Sequence, residues 1–254
     1  AMQQHQKSFA LEKEGKLIPY FLTAANIESS EPEKVNEGNN RVMRARLSDA
    51  AFFYEKDKQQ PLSLRRESTQ HVVFQAKLGT LYDKSERLIQ LAHYLSPLLG
   101  VNSLDAERAA ALSQCDLMTD MVGEFPELQG VMGYYYALSD GESEGIAVAL
   151  NEQYWPRFSG AELPKTPLGR LLAIVERVDT LIGAFSINQK PTGNKDPFKL
   201  RRHALGLIRI LLEKPQQNVN LVELLTYAFL HSPQQHININ TVKETLLFIL
   251  ERLK

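Results

Sequence analysis

The sequence predicts a mainly α fold: a helical bundle, a short N-terminal β-hairpin ahead of it, and the C-terminal helices of an incomplete further domain behind it. Three observations carry this. Apolar residues recur at three- to four-residue spacing along most of the chain. Pro and Gly punctuate those runs mostly near their ends. The one hairpin-like pattern is confined to residues 7–25.

The elements follow in order. Ser8–Leu11 and Leu17–Leu22 flank Glu14-Gly15-Lys16, where Gly15 can supply positive φ, so a hairpin is expected. Ser30-Glu31-Pro32-Glu33 offers an N-cap, a first-turn Pro and acids suited to the helix dipole, opening a helix through Val42, Leu47 and Tyr54. Pro61 stops it and a second helix follows. A long helix is expected from Val72 to Gly100, and another from Asn102 or Ser103 to Val122 with Gly123 as its stop. Further helices are expected over Glu127–Ser139, ended by Gly141, and over 143–155. Thr166-Pro167 is a cap and first-turn pair opening a strongly patterned helix through Ile182. Gln189–Pro197 reads as a linker. Asp196-Pro197, Asn220 with Glu223, and Asn240 open the last three helices. The expected domains are 1–70, 71–190 and 191–254. Leu253-Lys254 closes on a helical pattern without a cap, so the chain is expected to be a section of a longer protein.

Composition narrows the function. Hydrophobic residues make up 43% of 254, enough for a sizeable core. With 30 acids against 29 bases the net charge is −1, so nucleic-acid contact would need local clustering. Charge is segregated: 41–66 holds seven bases to three acids, 195–214 six to two, and 116–162 nine acids to the single base Arg157. The two basic stretches are the candidate phosphate contacts, above all Arg41, Arg44, Arg46, Arg201 and Arg202. Tyr134, Tyr135 and Tyr136 could stack on bases, but their acidic surroundings make core packing the expectation. The single cysteine, Cys115, excludes an internal disulfide and a zinc ribbon and fits a reducing, cytoplasmic setting. No apolar run reaches the ~18 residues of a membrane span. Walker, GxGxxG, HExxH and GxSxG patterns are absent, and the histidines, at 5, 71, 93, 203, 231 and 236, include no i, i+4 pair.

One constellation points to metal chemistry and then away from it. Lys84-Ser85-Glu86-Arg87-Leu88-Ile89-Gln90-Leu91-Ala92, Ala111-Leu112-Ser113-Gln114-Cys115-Asp116 and Glu176-Arg177-Val178-Asp179 resemble, in order, the ligand-bearing elements of an HD phosphohydrolase domain. In that family His and Asp side chains hold divalent metals that activate water against a phosphate ester. Here Lys84 and Cys115 stand where imidazoles are expected, leaving Asp116 and Asp179. An ammonium has no lone pair to give, so a degenerate, metal-free HD-like bundle is expected, with Asp116 and Asp179 structural or paired to Lys84 and Cys115 a small core residue.

A closer resemblance covers nearly the whole chain. Asn26–Ser29, Glu37-Gly38-Asn39-Asn40-Arg41-Val42-Met43-Arg44-Ala45-Arg46, Val73–Lys84, Glu124-Phe125-Pro126-Glu127-Leu128-Gln129-Gly130, Ala149–Tyr154 and Lys195-Asp196-Pro197-Phe198-x-Leu200-Arg201-Arg202 together resemble the β subunit of the bacterial heterotetrameric glycyl-tRNA synthetase. That family is longer at both ends, so the chain would hold the end of a body domain, the HD-like domain and the start of an anticodon-binding region. The resemblance implies tRNA recognition within an α2β2 enzyme that joins glycine to its tRNA. ATP and Mg would be used through the α subunit, with no cofactor in this section. An active metal-dependent phosphohydrolase and a purely structural helical scaffold are the alternatives.

Overall fold

The computed structural model describes residues 7–26, 28–213, 219–233 and 240–253. Ile27, Lys214, His5 and His236 lie outside them. Strands β1 (Ser8–Lys13) and β2 (Lys16–Thr23) pair antiparallel with Lys13 opposite Lys16. The two-residue turn between them takes positive φ at both Glu14 and Gly15, the geometry whose twist matches a hairpin. Much of the hairpin's apolar surface, including Leu17, Tyr20 and Leu22, is exposed.

Helix α1 (Pro32–Asp57) has Pro32 in its first turn, but its cap position is Glu31, without a side-chain cap; Ser29 instead accepts from the Glu31 amide. Pro61 then leads into the single turn α2 (Leu62–Arg65). The long helix expected from Val72 begins nine residues later. Val73–Gln75 (β3) and Gly79–Thr80 (β4) form a small antiparallel ladder, and α3 (Leu81–Leu99) starts at a Thr80/Asp83 capping box. Gly79, at φ 88, cannot continue a helix, and the β-branched Val72 and Val73 favour the extended chain. Gly100, at φ 64, ends α3 as expected.

The helix expected to reach Val122 is broken. Asn102 caps α4 (Ser103–Leu112), a 3₁₀ turn covers Cys115–Met118, and Thr119 caps α5 (Asp120–Glu124), which contains Gly123. Asp57 is the tertiary cause: its buried carboxylate accepts from the amides of Asp120 and Met121, tying the start of α5 to the end of α1. Gly130, at φ 81, likewise separates the turn at Pro126–Leu128 from α6 (Val131–Ser139). Next come α7 (Glu144–Glu152) and α8 (Pro167–Ser186), the latter capped by Thr166 on the Gly169 amide. The chain continues through α9 (Leu200–Glu213), α10 (Leu221–Leu230) and α11 (Thr241–Leu250). Asn220 accepts from the amides of Val222 and Glu223, the expected start, whereas the helix expected from Asp196-Pro197 begins at Leu200, with the Asp196 carboxylate accepting from the amides of Leu200 and Arg201.

Helix α8 is the axis of the molecule. Leu171, Leu172, Ile174, Val175, Val178 and Leu181 are buried on every side, as an all-round apolar helix requires. It packs against α3, α4, α7, α9, α10 and α11, and its side chains join a single apolar cluster running from Leu62 to Ile249. The segregated charges of the sequence meet in space. Basic α1 faces the acidic stretch through Arg46–Glu124 (2.7 Å) and Lys56–Asp120 (2.5 Å). No helix among the described residues is long and apolar enough to cross a membrane.

Candidate functional site

Two polar neighbourhoods flank α8. The first is built by α3 and α8. Lys84, 2% exposed, places Nζ 3.2 Å from Asp179 Oδ2, 2.8 Å from Thr180 Oγ1 and 3.5 Å from Glu176 Oε1, and over the Phe74 ring. Arg87, one turn on, donates from Nε to Asp179 Oδ1 (2.6 Å) and from Nη2 to Asp179 Oδ2 (3.2 Å). Two cations thus face two carboxylates. Burial alone would raise the Asp179 carboxyl; Lys84 and Arg87 outweigh it and hold the group below its ordinary range. Glu176 behaves in the same way, held well down by Lys84 and by His203, whose Nδ1 is 3.4 Å from Oε2.

Of the two readings of Asp179, a structural polar residue or a partner of Lys84, the geometry shows the pair, but Cys115 and Asp116 stand elsewhere. Cys115 is buried in the apolar core, its thiol pushed up to about 12 by burial. Asp116 Oδ2 accepts from the Gly130 amide at 2.6 Å while Oδ1 has no partner, and burial raises the carboxyl to about 6. No group of three or more His, Cys, Asp or Glu side chains among the described residues could hold a metal. The residues at the HD-like positions do not fit one, since Lys84 puts a cation where a ligand would stand.

The second neighbourhood is an open cleft of about 340 Å³ between α8, the start of α9 and the 153–157 segment. Tyr154, Arg157, Arg177, Lys199, Arg202 and His203 line it. Arg177 is buried and is held by the carbonyls of Gln153 (3.0 Å), Ala173 (2.8 Å) and Trp155 (2.7 Å). Burial lowers its pKa to about 10. Arg157 lies over the Tyr154 ring and donates to the Gln129 carbonyl at 2.7 Å. Lys199, itself at φ 55, and Arg202 are exposed and make no ion pair with a carboxylate among the described residues. Sequence spacing missed this convergence: Arg157 reads as one base amid nine acids, and only the packing of α8 on α9 brings it to Arg177 and Arg202.

The five arginines singled out as phosphate contacts fall into two classes. Arg46 is bound to Glu124, and Arg201 donates to the Gly193 carbonyl at 2.7 Å beside Asp196. Arg41 lies 3.6 Å from Glu37 on the exposed face of α1. Arg44 and Arg202 are exposed and have no hydrogen-bond or ion-pair partner among the described residues. The three tyrosines also divide. Tyr136 is buried, stacks on Tyr54 and donates to Asp57, and Tyr134 is half-buried, whereas Tyr135 is 51% exposed, against the core packing expected of it.

Comparison with known proteins fixes the family. The model of the glycyl-tRNA synthetase beta subunit matches residues 1–254. The chain belongs to the glycyl-tRNA synthetase beta-subunit family. It is 51% identical over 254 residues to glycine–tRNA ligase beta subunits of Pseudomonas putida strains GB-1 and W619, covering all of this chain and 37% of each relative. It is 54% identical over 228 residues to that of Pseudomonas fluorescens Pf0-1, covering 89% of this chain and 33% of the relative. The chain thus spans little more than a third of the beta subunits it matches.

Proposed function

We propose that the chain is the central section of a glycine–tRNA ligase β subunit and that it contributes tRNA recognition and subunit architecture to the ATP-dependent attachment of glycine to its tRNA. The observation that carries this is the match of the family model across all 254 residues. The unpaired, exposed Arg44 on α1 and Arg202 on α9 support a role in meeting RNA phosphates. In this reading the degenerate HD-like bundle, with Lys84, Cys115, Asp116 and Asp179 at the former ligand positions, is a rigid spacer between two basic surfaces. ATP and Mg²⁺ enter through the α subunit of a cytoplasmic α2β2 enzyme, and this section holds no catalytic centre. The domain limits at residues 70 and 190 belong to the same proposal.

Filter binding of glycine tRNA to the chain across a salt series tests it. Binding whose logarithm falls linearly with log salt, and which weakens in an Arg41/Arg44/Arg46 triple-alanine variant, is expected. Absence of affinity and of any salt slope would favour the scaffold reading.

A further inference from the structure

We propose that the cleft between α8, α9 and the 153–157 segment is a binding site for a phosphate group, held by Arg157, Arg177, Lys199 and Arg202. The argument is one of uncompensated charge. Buried cations are ordinarily paired, because an unpaired one retains its full desolvation cost. Arg177 is 4% exposed, yet among the described residues no carboxylate lies within ion-pair distance. A guanidinium carries five N–H donors. Carbonyl oxygens take three of those of Arg177, and its Nε has no partner. Arg157, whose pKa burial also lowers, is likewise held by a carbonyl rather than a carboxylate.

The one acid lining the cleft, Glu176, makes its ion-pair contacts with Lys84 and His203 and acts on Arg177 only at longer range, so it offsets at most one of the four cations. Four cations from three segments of chain therefore surround one cavity with no carboxylate in ion-pair contact among the described residues, Glu176 and Asp116 acting on Arg177 and Arg157 only at longer range. A carboxylate would cancel one of them. A phosphate offers more charge and more acceptor oxygens to arginines, which bind it by planar, charge-assisted contacts. The cleft, at about 340 Å³, has room for the phosphate and part of the group that carries it. Neither acid-for-metal chemistry nor the Lys84 cluster takes part, and the site does not depend on the tRNA-recognition reading, since a free phosphate ester would satisfy it equally.

The test uses the whole chain at constant ionic strength. Thermal unfolding is followed with sodium chloride, inorganic phosphate or adenosine monophosphate, and glycine tRNA binding is measured in parallel. The working variant is the exposed pair Lys199→Gln/Arg202→Gln, because loss of buried Arg177 could unfold the protein. Stabilisation by phosphate or the mononucleotide beyond chloride, weakened at least about tenfold in the double variant, supports a site for a free phosphate. No stabilisation by the small probes, with tRNA affinity falling by the same factor in the variant, supports a site for a backbone phosphate. Equal stabilisation and equal tRNA affinity in both proteins would overturn the proposal, as would no response to any probe. Small-probe binding without tRNA binding would keep the cleft while removing the tRNA reading.

Discussion

Glu176 faces two neighbourhoods that handle charge in opposite ways. On one side Lys84 and Arg87 meet Asp179 and Glu176 in a buried cluster whose formal charges cancel. On the other, Arg157, Arg177, Lys199 and Arg202 gather around a cleft and, among the described residues, none of them has a carboxylate in ion-pair contact. Both stand against α8, and His203 bridges them through Glu176. The difference teaches which charges hold the fold and which are left for a partner. A cation that finds its carboxylate inside the molecule has spent its interaction there. A cation held in place only by carbonyl oxygens is oriented but still charged.

The largest effect is expected on the closed side. Lys84→Met leaves buried Asp179 to Arg87 and buried Glu176 to His203 and should cost about 3–5 kcal/mol of stability, read by urea unfolding. Adding Glu176→Gln should recover part of that loss, whereas a Lys84→Met cost below about 1 kcal/mol would show that the cluster is not a structural pair.

Next in size is a pH effect at Asp116, the ligand-position acid that joins neither side. Its folded carboxyl sits at about 6, above the ordinary 3.8, because burial disfavours its charge. The folded state therefore binds the proton more tightly, and this group's contribution to stability falls as pH rises from about 4 to about 6. A displacement of that size corresponds to about 3 kcal/mol. Unfolding of the native chain and of Asp116→Asn across this range measures it; the difference between them should change with pH in that window and be flat above it.

The smallest effects are expected at the surface. Arg46 and Glu124 are 41% and 43% exposed, so Arg46→Ala should cost no more than about 1 kcal/mol. Arg44→Ala, with no partner to lose, should stay within about 0.5 kcal/mol by the same unfolding assay. A larger loss at Arg44 than at Arg46 would reverse their assignment to open and closed classes.

What was legible in the sequence was local or chemical. Thr166-Pro167, Asn102, Gly100 and Gly141 mark element ends because a cap or a left-handed residue acts within one turn. Lys84 in place of an imidazole made pairing with Asp116 or Asp179 one of two open readings, and the structure chooses Asp179. The mainly helical fold followed from periodicity. The break between α4 and α5 was hidden because Asp57, dozens of residues away, imposes it. The ladder before α3 was hidden because Val73 and Leu81 also satisfy a helical spacing. The cleft was hidden because linear charge counts place Arg157 in an acidic stretch and cannot tell paired Arg201 from unpaired Arg202.

That last pair gives the most direct test of the account, that cations left open by the fold are the ones that meet RNA phosphates. Glycine tRNA binding is measured against salt for the native chain, Arg201→Gln and Arg202→Gln. Arg202→Gln should reduce the slope of log affinity against log salt by about one, while Arg201→Gln leaves it unchanged. An unchanged slope for Arg202→Gln, or an equal loss for both neighbours, would contradict the account.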